Sequence, residues 1–318
     1  RLTDQEDSPR IYPIGRPKNY YNKRGGDDPA GFTARFQTRF YSTAIRRSDI
    51  QNGVCEVDGD SISLRAGTQS VAIAVDAITN LTTGTPPERF EDAFTTVVGI
   101  KFTPKDSSHV CFIEYDPEYA DVFEYHLFAK PINGATGVVE FGAQKGGQQT
   151  DTAAQRVQVA IKPDRVVFTP ETGGTKSIAL GEIVNIQFGK RTIGGAKRDV
   201  IKIDHMNSHT RTTSYLSLTQ PRLQRLFNRY LRTEYAQLHA EIEETNVSEA
   251  ETQLVVGYYT THDLTQTMHA LTDGNKSAFE SLYEQALDHG LVTHPDDGVG
   301  LTQKGKMLAN TELETVNT

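Results

Sequence analysis

Short runs of alternating apolar and polar residues fill the chain from Gly31 to Tyr115, with turn residues between them. Such alternation is typical of β-strands that bury one face of a sheet. The runs predict strands at FTARFQTRF, VCEVDGDSISL, VAIAVDAITNL, TTVVGIKF and HVCFIEY, the second being a hairpin around Asp58 and Gly59. A helix is predicted to begin at Pro117, because proline suits the first helical turn.

The apolar positions of this segment recur 103 to 105 residues further along the chain. The matched pairs are Val57 and Ile161, Ile62 and Val166, Leu64 and Phe168, Ile73 and Ile178, Ile78 and Ile183, Val98 and Ile201, Ile100 and Ile203, Phe123 and Phe227, and Leu127 and Leu231. A nearly constant offset over such a span indicates a tandem repeat. Each copy is predicted to hold about seven antiparallel strands closed by one helix, the outline of a pleckstrin-homology-like (PH-like) module.

The closing helix of the second copy, Thr219–Tyr235, has two contrasting faces at helical periodicity. The apolar face holds Leu223, Leu226, Phe227, Tyr230 and Leu231. The opposite face, called here the arginine stripe, holds Arg222, Arg225, Arg229 and Arg232. The stripe is either an ordinary solvated helix surface or a docking surface for an acidic partner. The first copy carries Glu118, Asp121 and Tyr125 where the second has its first three arginines, and a core requirement does not explain that inversion.

After Tyr235 the pattern becomes helical. The closing helix is expected to continue until about Thr245, and Ser248 with Glu251 predicts a capping box at the start of the next helix. Further helices are predicted over Asp263–Leu271 and Ser277–His289. A two-stranded wing turning at Asp296-Asp297-Gly298 and a final helix, KGKMLANTELETV, complete the order of a winged helix-turn-helix.

The predicted fold class is therefore α+β. It consists of two tandem PH-like antiparallel β-barrels, each closed by a C-terminal helix, followed by a winged helix-turn-helix domain. The predicted ranges are a disordered basic arm at 1–30, PH-like domains at 31–132 and 133–236, and the winged-helix domain at 246–318.

Charge is unevenly placed along a chain whose formal net charge is −8. The segment from Arg10 to Arg47 carries nine Lys or Arg against two Asp, whereas residues 246–318 carry three Lys against eleven acids. No apolar run approaches the length of a membrane span and no secretory signal is visible, so a cytoplasmic protein is expected. The two cysteines, Cys55 and Cys111, lie in apolar runs and are expected to be buried thiols.

Catalytic and cofactor motifs are missing from the sequence. Gly173–Ser177 lacks the first glycine of a phosphate-binding loop, and His205 and His209 lack the helical setting of a metal site. We therefore expect no enzyme, no cofactor and no metal. The glycine-rich segment Gly189–Arg198 joins two strands, and its four cations are candidate partner-binding residues: Lys190, Arg191, Lys197 and Arg198. Anion binding by this loop is the less favoured alternative.

The winged-helix order suggests DNA, but charge opposes it. The would-be recognition helix, Ser277–His289, holds Glu280, Glu284 and Asp288 and no Lys or Arg. Since DNA binding depends on cations that neutralise phosphates, no nucleic acid is expected as a partner. A protein-interaction module or a structural cap fits better.

Four segments resemble the archaeal taxis protein CheF family: GFTARF (31–36), IALGEIVNIQFGKR (178–191), LFNRYLRTEYAQLHAEIEETNVSEAETQLVVGYYT (226–260) and GLTQKGKMLANTELETVN (300–317). The resemblance implies a non-enzymatic adaptor that couples the response regulator CheY, with CheC and CheD proteins, to the archaellum motor. Receiver domains such as CheY carry an acidic phosphorylation pocket, which an arginine stripe would suit. The stripe itself is an inference from the residues, and the arm 1–30 lies outside the resemblance.

Two other function classes remain open from the sequence. The basic arm and the PH-like loops could bind an anionic membrane surface. Less favoured is a DNA-binding regulator that uses the winged helix.

Overall fold

The computed structural model describes residues 33–45, 49–58, 60–84, 86–105, 107–115, 120–207, 210–294 and 300–316. The chain forms two compact units that meet in sequence between Pro131 and Ile132. The predicted arm 1–30, the helix start at Pro117, His209 and the wing turn at 296–298 lie outside the described residues.

In its described residues the first unit is a seven-stranded antiparallel sheet with one α-helix. Its elements are β1 (Thr33–Ser42), β2 (Gln51–Asp58), β3 (Ser61–Ala66), β4 (Gln69–Ala74), β5 (Ile78–Gly84), β6 (Val97–Phe102), β7 (His109–Glu114) and α1 (Ala120–Ile132). The strands are arranged in the order β4-β3-β2-β1-β7-β6-β5. The run VAIAVDAITNL, predicted as a strand, is divided by a 3-10 turn at Val75–Ala77. The division follows from topology, since β4 and β5 lie at opposite edges of the sheet and the turn carries the chain between them.

The second unit begins with the same architecture. Its elements are β8 (Ala135–Lys145), β9 (Gln148–Gln149), β10 (Gln155–Ile161), β11 (Arg165–Pro170), β12 (Lys176–Ala179), β13 (Ile183–Ile193), β14 (Ala196–Asn207), β15 (Thr210–Leu218) and α2 (Pro221–Glu244). The order is β12-β11-β10-β8-β15-β14-β13, and β9 pairs with β8 alone.

The structure confirms the predicted tandem repeat. The two sheets share one strand order. The 3-10 turn at Val75–Ala77 recurs at Leu180–Glu182, and the register shift after Ile78 recurs after Ile183. All nine matched apolar pairs are buried in both copies, because each copy builds its core from the same positions.

The closing helix α2 buries its predicted apolar face completely, as shown by Leu223, Leu226, Phe227, Tyr230 and Leu231. It also buries Gln224, which the sequence pattern did not predict. The Gln224 side chain accepts a hydrogen bond from Leu218 N at 2.5 Å and donates one to Leu216 O at 3.3 Å. This amide fixes the first turn of the helix to the end of β15.

The C-terminal part is mostly helical, as predicted. It consists of α3 (Glu249–Thr261), α4 (Leu264–Thr272), α5 (Lys276–Asp288), the short paired strands β16 (Val292–Thr293) and β17 (Gly300–Leu301), and α6 (Gln303–Val316). The predicted capping box is present, with Ser248 and Glu251 bonding each other's backbone N–H groups. A core of its own includes Leu254, Val255, Phe279, Ala286 and Leu308.

Helix α6 packs on the 3-10 turn Leu180–Glu182 of the second sheet. Gln303 Oε1 accepts from Gly181 N at 2.7 Å, and Asn310 Nδ2 donates to Gly181 O at 3.1 Å. Lys306 and Glu182 form an ion pair at 3.6 Å. A Cβ atom on Gly181 would overlap the Gln303 carbonyl oxygen, so glycine permits this close approach. The second sheet and the C-terminal helices thus belong to one compact unit.

Candidate partner-binding surface

The arginine stripe lies on the face of α2 that points away from the core. Arg225, Arg229 and Arg232 are exposed, and Arg222 is half-buried. Within the described part of the chain, the guanidinium groups of the three exposed arginines form no ion pair, unlike Arg39 with Glu114 or Arg165 with Asp164. Burial of the opposite face holds the helix in place, so the three charges are presented to solvent at fixed spacing.

The second group of predicted residues lies on the hairpin of β13 and β14. Its turn is Gly194-Gly195, whose φ angles of 57° and 78° favour glycine and match a two-residue hairpin turn. Cross-strand pairing sets Lys190 opposite Asp199, Arg191 opposite Arg198, and Thr192 opposite Lys197.

Alternation along the strands divides these four cations between the two faces of the hairpin. Lys190 and Lys197 are exposed. They share the face of Phe188 and Ile201. Arg191 lies on the other face, where its guanidinium sits 4.0 Å from the Tyr215 ring centroid and 3.4 Å from Glu140 Oε2. Arg191, one of the cations predicted for partner binding, is therefore engaged by Tyr215 and Glu140 of the same chain.

The stripe and the hairpin start at the same end of the second sheet. Phe188 pairs with Ile201, which pairs with Leu216, and Leu216 O accepts the hydrogen bond from Gln224. Since neighbouring strands are about 4.8 Å apart, Phe188 lies roughly 10 Å from the anchor of the first turn of α2. The start of the stripe is thus two strands away from β13, whereas the later part of α2 lies near the start of β13, where Tyr235 Oη donates to Val184 O.

A buried carboxylate that sequence reasoning missed lies on the Arg191 face of the sheet. Asp204 is 3% exposed and accepts a hydrogen bond from Thr213 Oγ1 at 2.6 Å. Lys202 Nζ is 3.0 Å and Arg211 Nη2 3.5 Å from Asp204 Oδ2. Burial alone would raise the pKa of Asp204, but the Thr213 and Lys202 hydrogen bonds outweigh it and the pKa is lowered. The sequence did offer one signal, because Lys202 and Asp204 are two residues apart in a predicted strand and their side chains therefore lie on the same face.

His205 and the two cysteines are structural. Burial lowers the pKa of His205 to about 4, and its Nε2 lies 3.0 Å from Ser214 Oγ. No group of three or more metal-ligating side chains occurs within the described ranges. Cys55 and Cys111 are buried as predicted, and burial raises the pKa of the Cys55 thiol to about 12. Among the residues described, every helix is too short or too polar to span a bilayer.

Comparison with known proteins identifies the family. Residues 32–237 match the family model CheF-arch, described as archaeal chemotaxis signal transduction system protein F. The chain is also 25% identical, over 256 residues, to the Taxis protein CheF2 of Halobacterium salinarum, covering 80% of this chain and 88% of that protein. Among solved structures, a chain of the Spt16D Pob3N heterodimer is 10% identical to this chain, and the match covers 56% of this chain and 85% of that one. Its TM-score of 0.24 is too low to bear on the fold. Because the family model spans more than half of its length, the chain belongs to the CheF family of archaeal chemotaxis signal transduction proteins.

Proposed function

We propose that this chain is a non-enzymatic, cytoplasmic adaptor that links a CheY-like response regulator, together with CheC and CheD proteins, to the archaellum motor switch. Membership of a chemotaxis signalling family supports a signalling role. The observation that carries the adaptor proposal is the row of exposed arginines Arg225, Arg229 and Arg232, which lack an ion-pair partner in the described part of the chain.

The stripe suits an acidic receiver domain on electrostatic grounds. Guanidinium groups bind carboxylate and phosphoryl oxygens through paired hydrogen bonds. A row of like charges on one rigid helix would mainly accelerate encounter and discriminate between partners. Lys190 and Lys197, exposed at the same end of the sheet, extend the positive surface. The first copy has Glu118, Asp121 and Tyr125 at the positions of Arg222, Arg225 and Arg229, so we assign receiver binding to the second copy.

We also propose that the two sheets are PH-like modules and that the C-terminal helices form a winged helix. Seven antiparallel strands in one order, each set followed by a helix with a buried apolar face, support two PH-like modules within 31–132 and 133–236. The sequence of three helices, two short paired strands and a last helix supports a winged helix within 246–318. Its acidic α5 is consistent with a protein-interaction role and with no nucleic acid partner.

The test is charge reversal with a matched control. The variant Arg225→Glu/Arg229→Glu/Arg232→Glu should bind a phosphorylated receiver at least tenfold more weakly in titration calorimetry. It should also lose the salt dependence of binding, because the charges responsible are removed. The control is Lys101→Glu/Lys145→Glu/Arg156→Glu, which makes the same change in net charge at exposed positions outside the stripe. It should bind like the parent protein.

Equal affinity of the two triple variants would remove the stripe from the proposal. The membrane-surface alternative makes a separate prediction, since it requires the protein to sediment with vesicles of anionic lipid. An adaptor for soluble partners should stay in the supernatant.

A further inference from the structure

Among the strands that the structure describes, none pairs with one side of the β13 backbone. Strand β13 is the last strand of the second sheet, and its other side pairs with β14. The start of this free edge is covered, since Tyr235 Oη donates a hydrogen bond to Val184 O at 2.9 Å and α6 packs on the turn just before it. From Gln187 to Lys190 the residues are exposed. The stretch from Gln187 to Lys190 is therefore accessible, as is Thr192 beyond it, whereas Ile193 at the end of β13 is buried.

The turn geometry fixes which backbone groups point outward from this edge. In a two-residue hairpin the residues flanking the turn, here Ile193 and Ala196, form a hydrogen-bonded pair, and such pairs alternate with non-hydrogen-bonded ones. Thr192, Lys190 and Phe188 fall in the non-hydrogen-bonded pairs. Their N–H and C=O groups therefore point away from β14, toward any strand added at this edge.

Phe188 lies in the middle of the open edge. It is 46% exposed and is the one exposed large apolar side chain among the residues the structure describes. The first copy has Thr83 at the equivalent position, and there the edge strand β5 ends at Gly84, the equivalent of Gly189. In the second copy β13 continues for four more residues, to Ile193, and these include Lys190 and Arg191. The longer, apolar and basic edge is a property of the second copy alone.

Charge on the hairpin favours an acidic occupant. The hairpin carries four cations, Lys190, Arg191, Lys197 and Arg198, against one acid, Asp199, and Arg191 is also paired with Glu140 of β8. Pairing with the same edge of a second copy would bring two such basic hairpins side by side, and lysine on an edge strand opposes that kind of self-association.

We propose that Phe188–Thr192 of β13 is a docking edge for an extended acidic peptide segment of a partner protein, which joins the second sheet as an added strand. The outward backbone groups would supply the ladder of hydrogen bonds. Phe188 contacts an apolar side chain of the peptide, and Lys190 pairs with a carboxylate. This site goes beyond the proposed function and needs no receiver for its test, so its failure would leave the arginine stripe untouched.

The experiment uses the full chain and a fluorescein-labelled peptide of glutamate and valine residues, followed by fluorescence anisotropy. Two further peptides carry N-methyl groups on either the odd or the even amides. In an added strand only one of these two sets of amides faces β13, so one methylated peptide should lose binding by tenfold or more and the other should keep it. Binding by both methylated peptides, or by neither, would show that no ladder forms.

Protein variants test the side chains. Phe188→Thr, the residue of the first copy, should weaken binding about fivefold to tenfold because the exposed half of the phenyl ring no longer gains a contact. Lys190→Glu should weaken it further, whereas Lys101→Glu, with the same charge change in the first unit, should not. The inference is overturned if Phe188→Thr binds as the parent does, or if no peptide binds. It is also overturned if the peptide-free protein is a dimer that Phe188→Thr dissociates.

Discussion

The contact between α6 and the turn Leu180–Glu182 predicts a large effect from a single methyl group. In Gly181→Ala the added Cβ would overlap the carbonyl oxygen of Gln303, which belongs to backbone and cannot rotate away. Helix α6 must shift, so the hydrogen bond that Gly181 N donates to Gln303 and the one that Gly181 O accepts from Asn310 are both lost. Gly181 does not have a positive φ, so alanine fits its backbone conformation and the effect is purely steric.

The magnitude follows from those two bonds. The Gln303 bond should contribute roughly 1 kcal/mol, and leaving the buried Asn310 amide without its acceptor should cost about 1–3 kcal/mol. A total near 3 kcal/mol corresponds to a fall in Tm of about 6–12 °C for a unit of this size. Calorimetry of thermal unfolding measures the shift, and hydrogen exchange of α6 peptides should show faster exchange at this contact.

A nearby glycine provides the control. Gly189→Ala adds the same methyl group to β13, where nothing lies within 4 Å of the new Cβ. It should leave Tm within about 2 °C of the parent value, as surface substitutions usually do. If Gly181→Ala were as stable as Gly189→Ala, with α6 equally protected from exchange, the close contact between α6 and this turn would not hold the unit together.

Three further predictions concern stability. Burial lowers the pKa of His205 to about 4 from the usual 6.5, so the folded protein resists its protonation. The free energy of unfolding should therefore be constant above pH 6.5 as far as His205 contributes, and fall by about 3 kcal/mol as the pH drops toward 4. Urea unfolding at several pH values measures this, and His205→Phe, which copies Phe102 of the first repeat, should lack that fall. Phe227→Ala should cost about 3–5 kcal/mol in urea unfolding, because Phe227 is 0% exposed under the second sheet; a loss below 1 kcal/mol would contradict the closing role of α2. Burial opposes ionisation of Glu251, but hydrogen bonds from Ser248 and His289 outweigh it and lower its pKa, so Glu251→Gln should unfold at lower temperature above pH 5 and resemble the parent in strong acid.

Features that repeat along the chain could be predicted from sequence. The apolar periodicity located the strands and the buried face of α2, and Ser248 with Glu251 gave the start of α3, because these patterns depend on residues that are close in sequence. The offset near 104 residues revealed the duplication, since both copies bury the same positions.

Features that depend on distant partners could not be predicted. Gln224 looks like a polar member of an amphipathic helix until the end of β15 is placed beside it. Phe188 has the pattern of a core residue, and only its position on an edge strand leaves it exposed. The division of the hairpin cations between two faces was accessible from strand alternation, but which face meets Tyr215 and Glu140 required the sheet.

The 3-10 turn on which α6 packs occurs twice in the chain, so something must distinguish the two copies as docking sites for a helix. The turn Leu180–Glu182, on which α6 packs, has a counterpart of the same 3-10 shape at Val75–Ala77. The first copy has Asp76 where the second has Gly181, and any side chain at the position of Gly181 would overlap the Gln303 carbonyl oxygen. The glycine at this position therefore distinguishes the turn on which α6 packs from its counterpart in the first copy, and a one-residue change separates a helix-docking turn from a solvent-facing one.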